Sequence, residues 1–154
     1  MPRIGKYWLS LDLYHWLHDT AHTWAKLEPE NKVRVGVDDF AQKQAGELLF
    51  IRLFPIGKEV KQGARFGTLE TAKWVGPLLS PLSGKIVEIN NEVLKSPKVV
   101  NKDPYEKGRM IVITPTELEE DLSCLVKGDA AIEWLKKDIR KIAKRDITCI
   151  QPSL

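Results

Sequence analysis

The sequence predicts a mainly β protein, a small antiparallel sandwich or flattened barrel with helices near its two ends. Short apolar runs of period two fill the middle of the chain, and turn residues interrupt them at close intervals. Apolar positions three and four apart appear only toward the termini. Many short strands at this spacing suit two packed sheets better than a parallel, helix-covered one.

Near the N-terminus, Ser10 reads as the cap of a short helix burying Leu13, Trp16 and Leu17. Val33, Val35 and Val37 then alternate with Arg34 and Gly36, a strand with one buried face. Further runs cover Leu48 to Phe54, Ala64 to Leu69, Leu78-Leu79, Lys85 to Ile89 and Met110 to Thr114. Gly57, Gly63, Gly76-Pro77, Ser83-Gly84 and Asn90-Asn91 punctuate them as turns. After Pro115, Thr116 with Glu119 predicts a capping box opening a helix from Glu117 to Val126. Asp129 is placed to cap a second helix, with Ile132, Leu135, Ile139 and Ile142 on its inner face. Lys136, Lys137, Arg140, Lys141, Lys144 and Arg145 fall on the other face, which reads as solvated.

Composition excludes several classes of function. The 154 residues are 43% hydrophobic and 29% charged, enough for one domain with a buried core. The net charge of +3 is too small to argue for nucleic acid. No apolar run approaches the roughly 18 residues of a membrane span, and "MPRIGKYW" lacks a secretory pattern. Cys124 and Cys149 form neither metal spacing nor a disulfide framework, so a cytoplasmic protein with two free thiols, small and buried, is expected. His15, His18 and His22 fall near one helical face, yet no carboxylate or cysteine completes a ligand set, and no metal is expected. Neither a serine–histidine–acid set nor a phosphate-cradling glycine loop is present.

One lysine stands out. Gly57-Lys58-Glu59-Val60 and Gly84-Lys85-Ile86-Val87 look like one element used twice, 73 − 57 = 16 residues before Lys73 and 84 − 73 = 11 after it. Two hairpin-like halves joined at Lys73 make that lysine an exposed apex. With "SPLSGKIVEIN" (Ser80 to Asn90) following, this pattern resembles the biotinyl/lipoyl carrier fold. Biotin carriers place methionine on both sides of the lysine. Here Ala72 and Trp74 flank it and Glu70 stands three residues before, as in the Glu-x-x-Lys of lipoyl carriers.

From about His22 to Leu135 the chain is similar to the glycine cleavage system H proteins. "HTW" (His22 to Trp24), "VRVGVDDFAQ" (Val33 to Gln42), "AGELLFIRL" (Ala45 to Leu53), "SPLSG" (Ser80 to Gly84) and "SPKVVNKDPYEKG" (Ser96 to Gly108) match that family in order and spacing. The resemblance implies a hybrid barrel-sandwich of two packed antiparallel sheets, with a short N-terminal helix and C-terminal helices. It implies a single, non-catalytic lipoyl-carrier domain over 1–154, made of an extension (1–20), a core (22–114) and terminal helices (116–146). It implies lipoate amide-linked to Lys73, installed by a lipoate ligase or lipoyl transferase that reads Glu70.

The chain departs from the family where the load is held. The family's glutamate after the histidine reads Thr23, the serine two residues earlier reads Ala21, and the aspartate four residues after the lysine reads Pro77. The usual small residue after the lysine is Trp74, and a Gly-Trp pair reads Gly108-Arg109. A hydrogen bond to a charged group contributes about 1.5–3 kcal/mol, so losing both carboxylates makes a poor cradle for an ammonium. Trp74, Val75, Leu78 and Trp24, with Thr23 and Pro77 as further arm-lining residues, suit a soft, polarisable load better. The departures favour a lipoate-binding sulfur carrier, with a heterodisulfide-reductase-like complex and sulfur transferases as partners. The alternative is an H protein carrying aminomethyl groups among the glycine cleavage P-, T- and L-proteins. Neither reading involves nucleic acid or a membrane.

Overall fold

The computed structural model describes residues 1–16 and 21–148, with side chains described as far as residue 141. Leu17, His18 and Cys149 lie outside the described residues, as do the side chains of Ile142, Lys144 and Arg145.

The chain opens with a two-stranded ribbon, β1 (Arg3–Ile4) and β2 (Tyr7–Trp8). Next come β3 (Tyr14–Trp16), β4 (Thr23–Glu28), β5 (Lys32–Val37), helix α1 (Asp39–Ala45), β6 (Leu48–Leu53) and β7 (Glu59–Val60). β8 (Arg65–Thr71) and β9 (Val75–Leu79) form the hairpin that carries Lys73 at its tip. β10 (Gly84–Ile89), α2 (Asn91–Lys95), α3 (Lys98–Lys102), β11 (Ile111–Pro115), α4 (Leu118–Leu122) and α5 (Asp129–Thr148) complete the order.

Two sheets make the body, one of six strands in the order β3-β4-β5-β11-β10-β7 and one of three, β6-β8-β9; every pairing is antiparallel. Their inner faces share one core. Val33, Val35, Ile86, Ile111 and Ile113 come from the larger sheet, and Leu48, Ile51, Phe66, Leu69 and Leu78 from the smaller. The valine alternation read in β5 is the reason: odd positions point inward, while Arg34 reaches Glu28 at 3.1 Å outside. The two similar elements flanking the hairpin meet, with Gly84 opposite Val60 and Lys85 opposite Glu59. At Gly36 the backbone must pass close to Trp24, where a Cβ would come within 2.6 Å of the indole. The same indole N–H donates to the carbonyls of Val37 (2.9 Å) and Pro104 (3.1 Å). Trp24 therefore ties the "SPKVVNKDPYEKG" loop to the sheet.

A second, smaller core joins the N-terminal ribbon, α1 and α5 through Tyr7, Leu9, Phe40, Ala131 and Leu135. Three expected helix features are corrected here. The helix from Ser10 is absent: Tyr14–Trp16 is extended and pairs with β4, because His15 and Trp16 gain partners in Trp24 and Thr23. The helix after Pro115 is shorter, Leu118–Leu122, and no side chain caps it; the Asp121 carboxylate is buried and accepts from the Ser83 N–H at 2.6 Å. Asp129 is the first residue of α5 rather than its cap. The short α1 arises where the sequence reading placed no helix, capped by Asp38, whose carboxylate accepts from the Ala41 N–H at 2.7 Å. Among the described residues no helix is long and apolar enough to cross a membrane.

Candidate functional site

Strands β8 and β9 run together until Glu70 faces Val75, leaving Thr71-Ala72-Lys73-Trp74 to reverse the chain. The Thr71 N–H donates to the Trp74 carbonyl at 2.8 Å. The Thr71 hydroxyl accepts from the Lys73 N–H at 3.3 Å and donates to the same carbonyl at 3.4 Å. Neither Ala72 nor Lys73 has a positive φ, so the tip needs no glycine. The backbone of Lys73 is thus held while its side chain stands exposed and enters no ion pair among the described residues. Replacing Thr71 by valine keeps strand shape but removes both hydroxyl bonds. The expected cost is about 1 kcal/mol, read by thermal unfolding, together with slower acylation of Lys73, read by mass spectrometry over time.

Glu70, half-buried, sits in a cross-strand row between Phe50 and Val75, which are 61% and 60% exposed. It makes no ion pair among the described residues. Trp74 folds back onto β9: a Cβ at Gly76 would overlap its ring, so the indole fills the space of a missing side chain. Beside the tip opens a surface cleft of about 410 Å³, lined by Lys43 to Glu47, Leu49 and Thr71 to Lys73. Asn101 shapes its wall, donating to Gln42 and to the Gly46 carbonyl at 2.8 Å each and accepting from the Leu48 N–H at 2.9 Å. Glu47 on that wall pairs with Lys98 at 2.9 Å, which raises the Lys98 pKa above its ordinary value.

The structure gathers Lys73, Glu70, Trp74, Val75 and Pro77 on one hairpin and leaves out Thr23. That threonine lies in the other sheet, fully buried, with its hydroxyl unpaired. Ala21 is buried as well. Trp24 and Leu78, read as covering a load, belong to the interior at 0% and 2% exposure. Cys124 is an exposed free thiol rather than a small buried side chain. Sequence reasoning missed Thr71, Gly76, Asn101 and the Lys43–Glu47 wall. A threonine two residues before the lysine is the local signal for the first; the others are fixed by distant segments.

His15 and His22 are structural. His15 is buried, its Nε2 at 2.6 Å from the Ser10 carbonyl, and burial lowers its pKa. His22 places Nδ1 at 2.9 Å from Asp38 and Nε2 at 2.7 Å from Asp138 of α5, with its ring stacked on Phe40. Burial opposes its charge, but the two carboxylates outweigh burial and push its pKa up to about 9. Among the described residues no group of three histidine, cysteine or acidic side chains is disposed to hold a metal ion. Burial, followed by the charge of nearby Asp38, also keeps the Tyr105 hydroxyl protonated, and it donates to the Trp8 carbonyl at 2.7 Å.

Residues 16–138 match the family model described as Glycine cleavage H-protein. The chain is 38% identical over 138 residues to the "Probable glycine cleavage system H protein 2" of Saccharolobus solfataricus, covering 90% of each. It is 47% identical over 110 residues to the "Glycine cleavage system H protein" of Oceanobacillus iheyensis, covering 70% of this chain and 86% of that one. The crystal structure of the H protein from Mycobacterium marinum superposes with a TM-score of 0.70 at 28% identity, over 84% of this chain and 98% of that chain. The family match takes in strands β4 to β11, the Lys73 hairpin and the first half of α5. The chain belongs to the glycine cleavage H-protein family, whose members are non-catalytic carriers holding lipoate covalently on a lysine.

Proposed function

We propose that Lys73 is the lysine that bears lipoate, and that the chain carries aminomethyl groups between the P- and T-proteins of a cytoplasmic glycine cleavage system, with the L-protein restoring the arm. The observation that supports the attachment point most is the held backbone and free side chain of Lys73 at the hairpin tip. The residues there fit the group: an amine without an ion-pair partner among the described residues, beside a cleft lined in part by Ala45, Leu49 and Ala72. When bound, lipoate supplies a disulfide/dithiol couple on a long flexible tether.

The chain's own residues do the rest. Thr71 fixes the tether's root, so that the end of the arm samples a limited volume at high effective concentration. Glu70, framed by Phe50 and Val75, offers the lipoate ligase or lipoyl transferase a carboxylate beside its target. Glu47 keeps a carboxylate in the cleft wall for a cationic load, shared with Lys98 at 2.9 Å, although Thr23 and Pro77 supply none. The relatives' names point the same way.

The sulfur-oxidation reading, with its heterodisulfide-reductase-like partner and sulfur transferases, finds no support in those names. One observation keeps it as a second reading: Leu49, Phe50, Trp74 and Val75 leave apolar surface exposed around the tip. A single assay separates the two. Lipoylated protein incubated with glycine and glycine decarboxylase is expected to gain an aminomethyl adduct at a rate normal for an H protein. Failure to load, with a stable sulfur adduct from a sulfur donor instead, would reverse the order of the two readings.

A further inference from the structure

We propose that Trp74 is a positioning residue for the dithiolane, offering an aromatic face on which the oxidised ring rests between visits to partner enzymes. This rests on the reading that Lys73 carries lipoate. Three observations support it.

The indole is seated, because it fills the space left by Gly76 and cannot settle there if that position has a Cβ. Its backbone is pinned too: the Trp74 carbonyl accepts from both the N–H and the hydroxyl of Thr71. Yet 44% of the residue remains exposed, and Leu49 and Val75 beside the tip are 41% and 60% exposed. A half-covered aromatic ring immediately after the tethering lysine is therefore a fixed apolar face in otherwise open surroundings.

The chemistry of the partner matches that face. A dithiolane is apolar and its sulfurs are polarisable, the kind of group that contacts aromatic rings favourably. Lys73 and Gly76 are three residues apart, roughly 10 Å even in extended strand, a span that the lysyl and acyl methylenes together exceed. Because the encounter is intramolecular, a weak contact is enough to populate the seated state. Opening the ring to two thiols removes the compact apolar surface and releases it.

The test uses holoprotein in which intact mass first establishes the arm on Lys73 in each variant. The rate at which a water-soluble phosphine reduces the arm's disulfide is then measured in the native chain, W74A, W74F and G76A. A sulfur–aromatic contact is worth about a two- to tenfold population ratio, so W74A is expected to be reduced faster by about that factor. W74F is expected to restore much of the native rate, and G76A, which displaces the indole without removing it, to resemble W74A. Independently, the emission assigned to Trp74 by difference from W74F is expected to be quenched in the oxidised holoprotein and to recover on reduction. Equal reduction rates in all four proteins, with no redox-dependent emission from Trp74, would overturn this inference alone. An arm found on another lysine would overturn the parent reading and this one with it.

Discussion

Replacing Lys73 by arginine is expected to abolish carrier function completely while leaving the fold intact. Arginine keeps the positive charge and much of the length. Its guanidinium stays protonated throughout the pH range of a folded protein and offers no amine to acylate. Lys73 is exposed, and among the described residues its side chain enters no ion pair while its backbone N–H donates to the Thr71 hydroxyl. Stability is therefore expected to change by less than about 0.5 kcal/mol. Intact mass after coexpression with a lipoate ligase should show no added acyl group, and reconstituted glycine cleavage should fall to background. A remaining adduct on Lys58 or Lys85, which occupy corresponding places in the two similar elements, would displace Lys73 from its role. The paired measurement matters, since a variant that merely unfolded would also fail to carry.

The second large effect concerns the clamp on α5. Asp138→Ala is expected to destabilise the protein by about 3 kcal/mol or more, the usual cost of removing one partner from a buried ion pair. That is a substantial part of a total near 5–15 kcal/mol. His22 would keep Asp38 but lose the 2.7 Å contact that fastens the helix. The same network predicts a pH dependence whose sign follows from the raised pKa. In the unfolded chain His22 titrates near 6.5, and in the folded one near 9. Below 6.5 both states are protonated and the stabilisation is fully present; as pH rises from there through about 9 it is lost. The shift corresponds to an effect on the order of 3 kcal/mol. His15 runs the opposite way: its pKa is lowered by burial, so its contribution is present above 6.5 and lost as pH falls. Urea unfolding between about pH 6 and about pH 10 is expected to show an alkaline decline that shrinks in Asp138→Ala. A decline of equal size in both proteins would remove His22 as its source.

The β core was legible because its signals are local. Each inward valine of β5 is visible in a period of two, and most strands stop near a turn residue; Gly76-Pro77 is the exception, lying inside β9 because the hairpin reverses at Thr71 to Trp74. The apex position of Lys73 was legible for a related reason, from two similar elements at comparable distances on either side. The N-terminal region misled because Leu13, Trp16 and Leu17 satisfy a helical spacing. What decided the matter was a pairing with β4 that no local pattern encodes. Similarly, His15, His18 and His22 suggested one helical face, whereas His22 meets Asp138, 116 positions away. Its place in a motif puts Thr23 along the arm, whereas the fold buries it in the larger sheet. Glu47 went unnoticed because only the fold brings it beside Lys73.

Strand β11 lies between β5 and β10, pairing Val35 with Ile111 and Gly84 with Pro115. During synthesis this segment leaves the ribosome after both of its neighbours and long after β5, so the larger sheet stays open until nearly the whole core has been made. Closing that gap brings together positions more than seventy residues apart in sequence, the sort of non-local step that sets a slow folding rate. The hairpin at Lys73, by contrast, needs only adjacent residues. Its tip can take shape early, but the wall built by Asn101 from the far side of the gap comes late, giving the nascent chain an order of assembly in which the tethering point precedes its shelter.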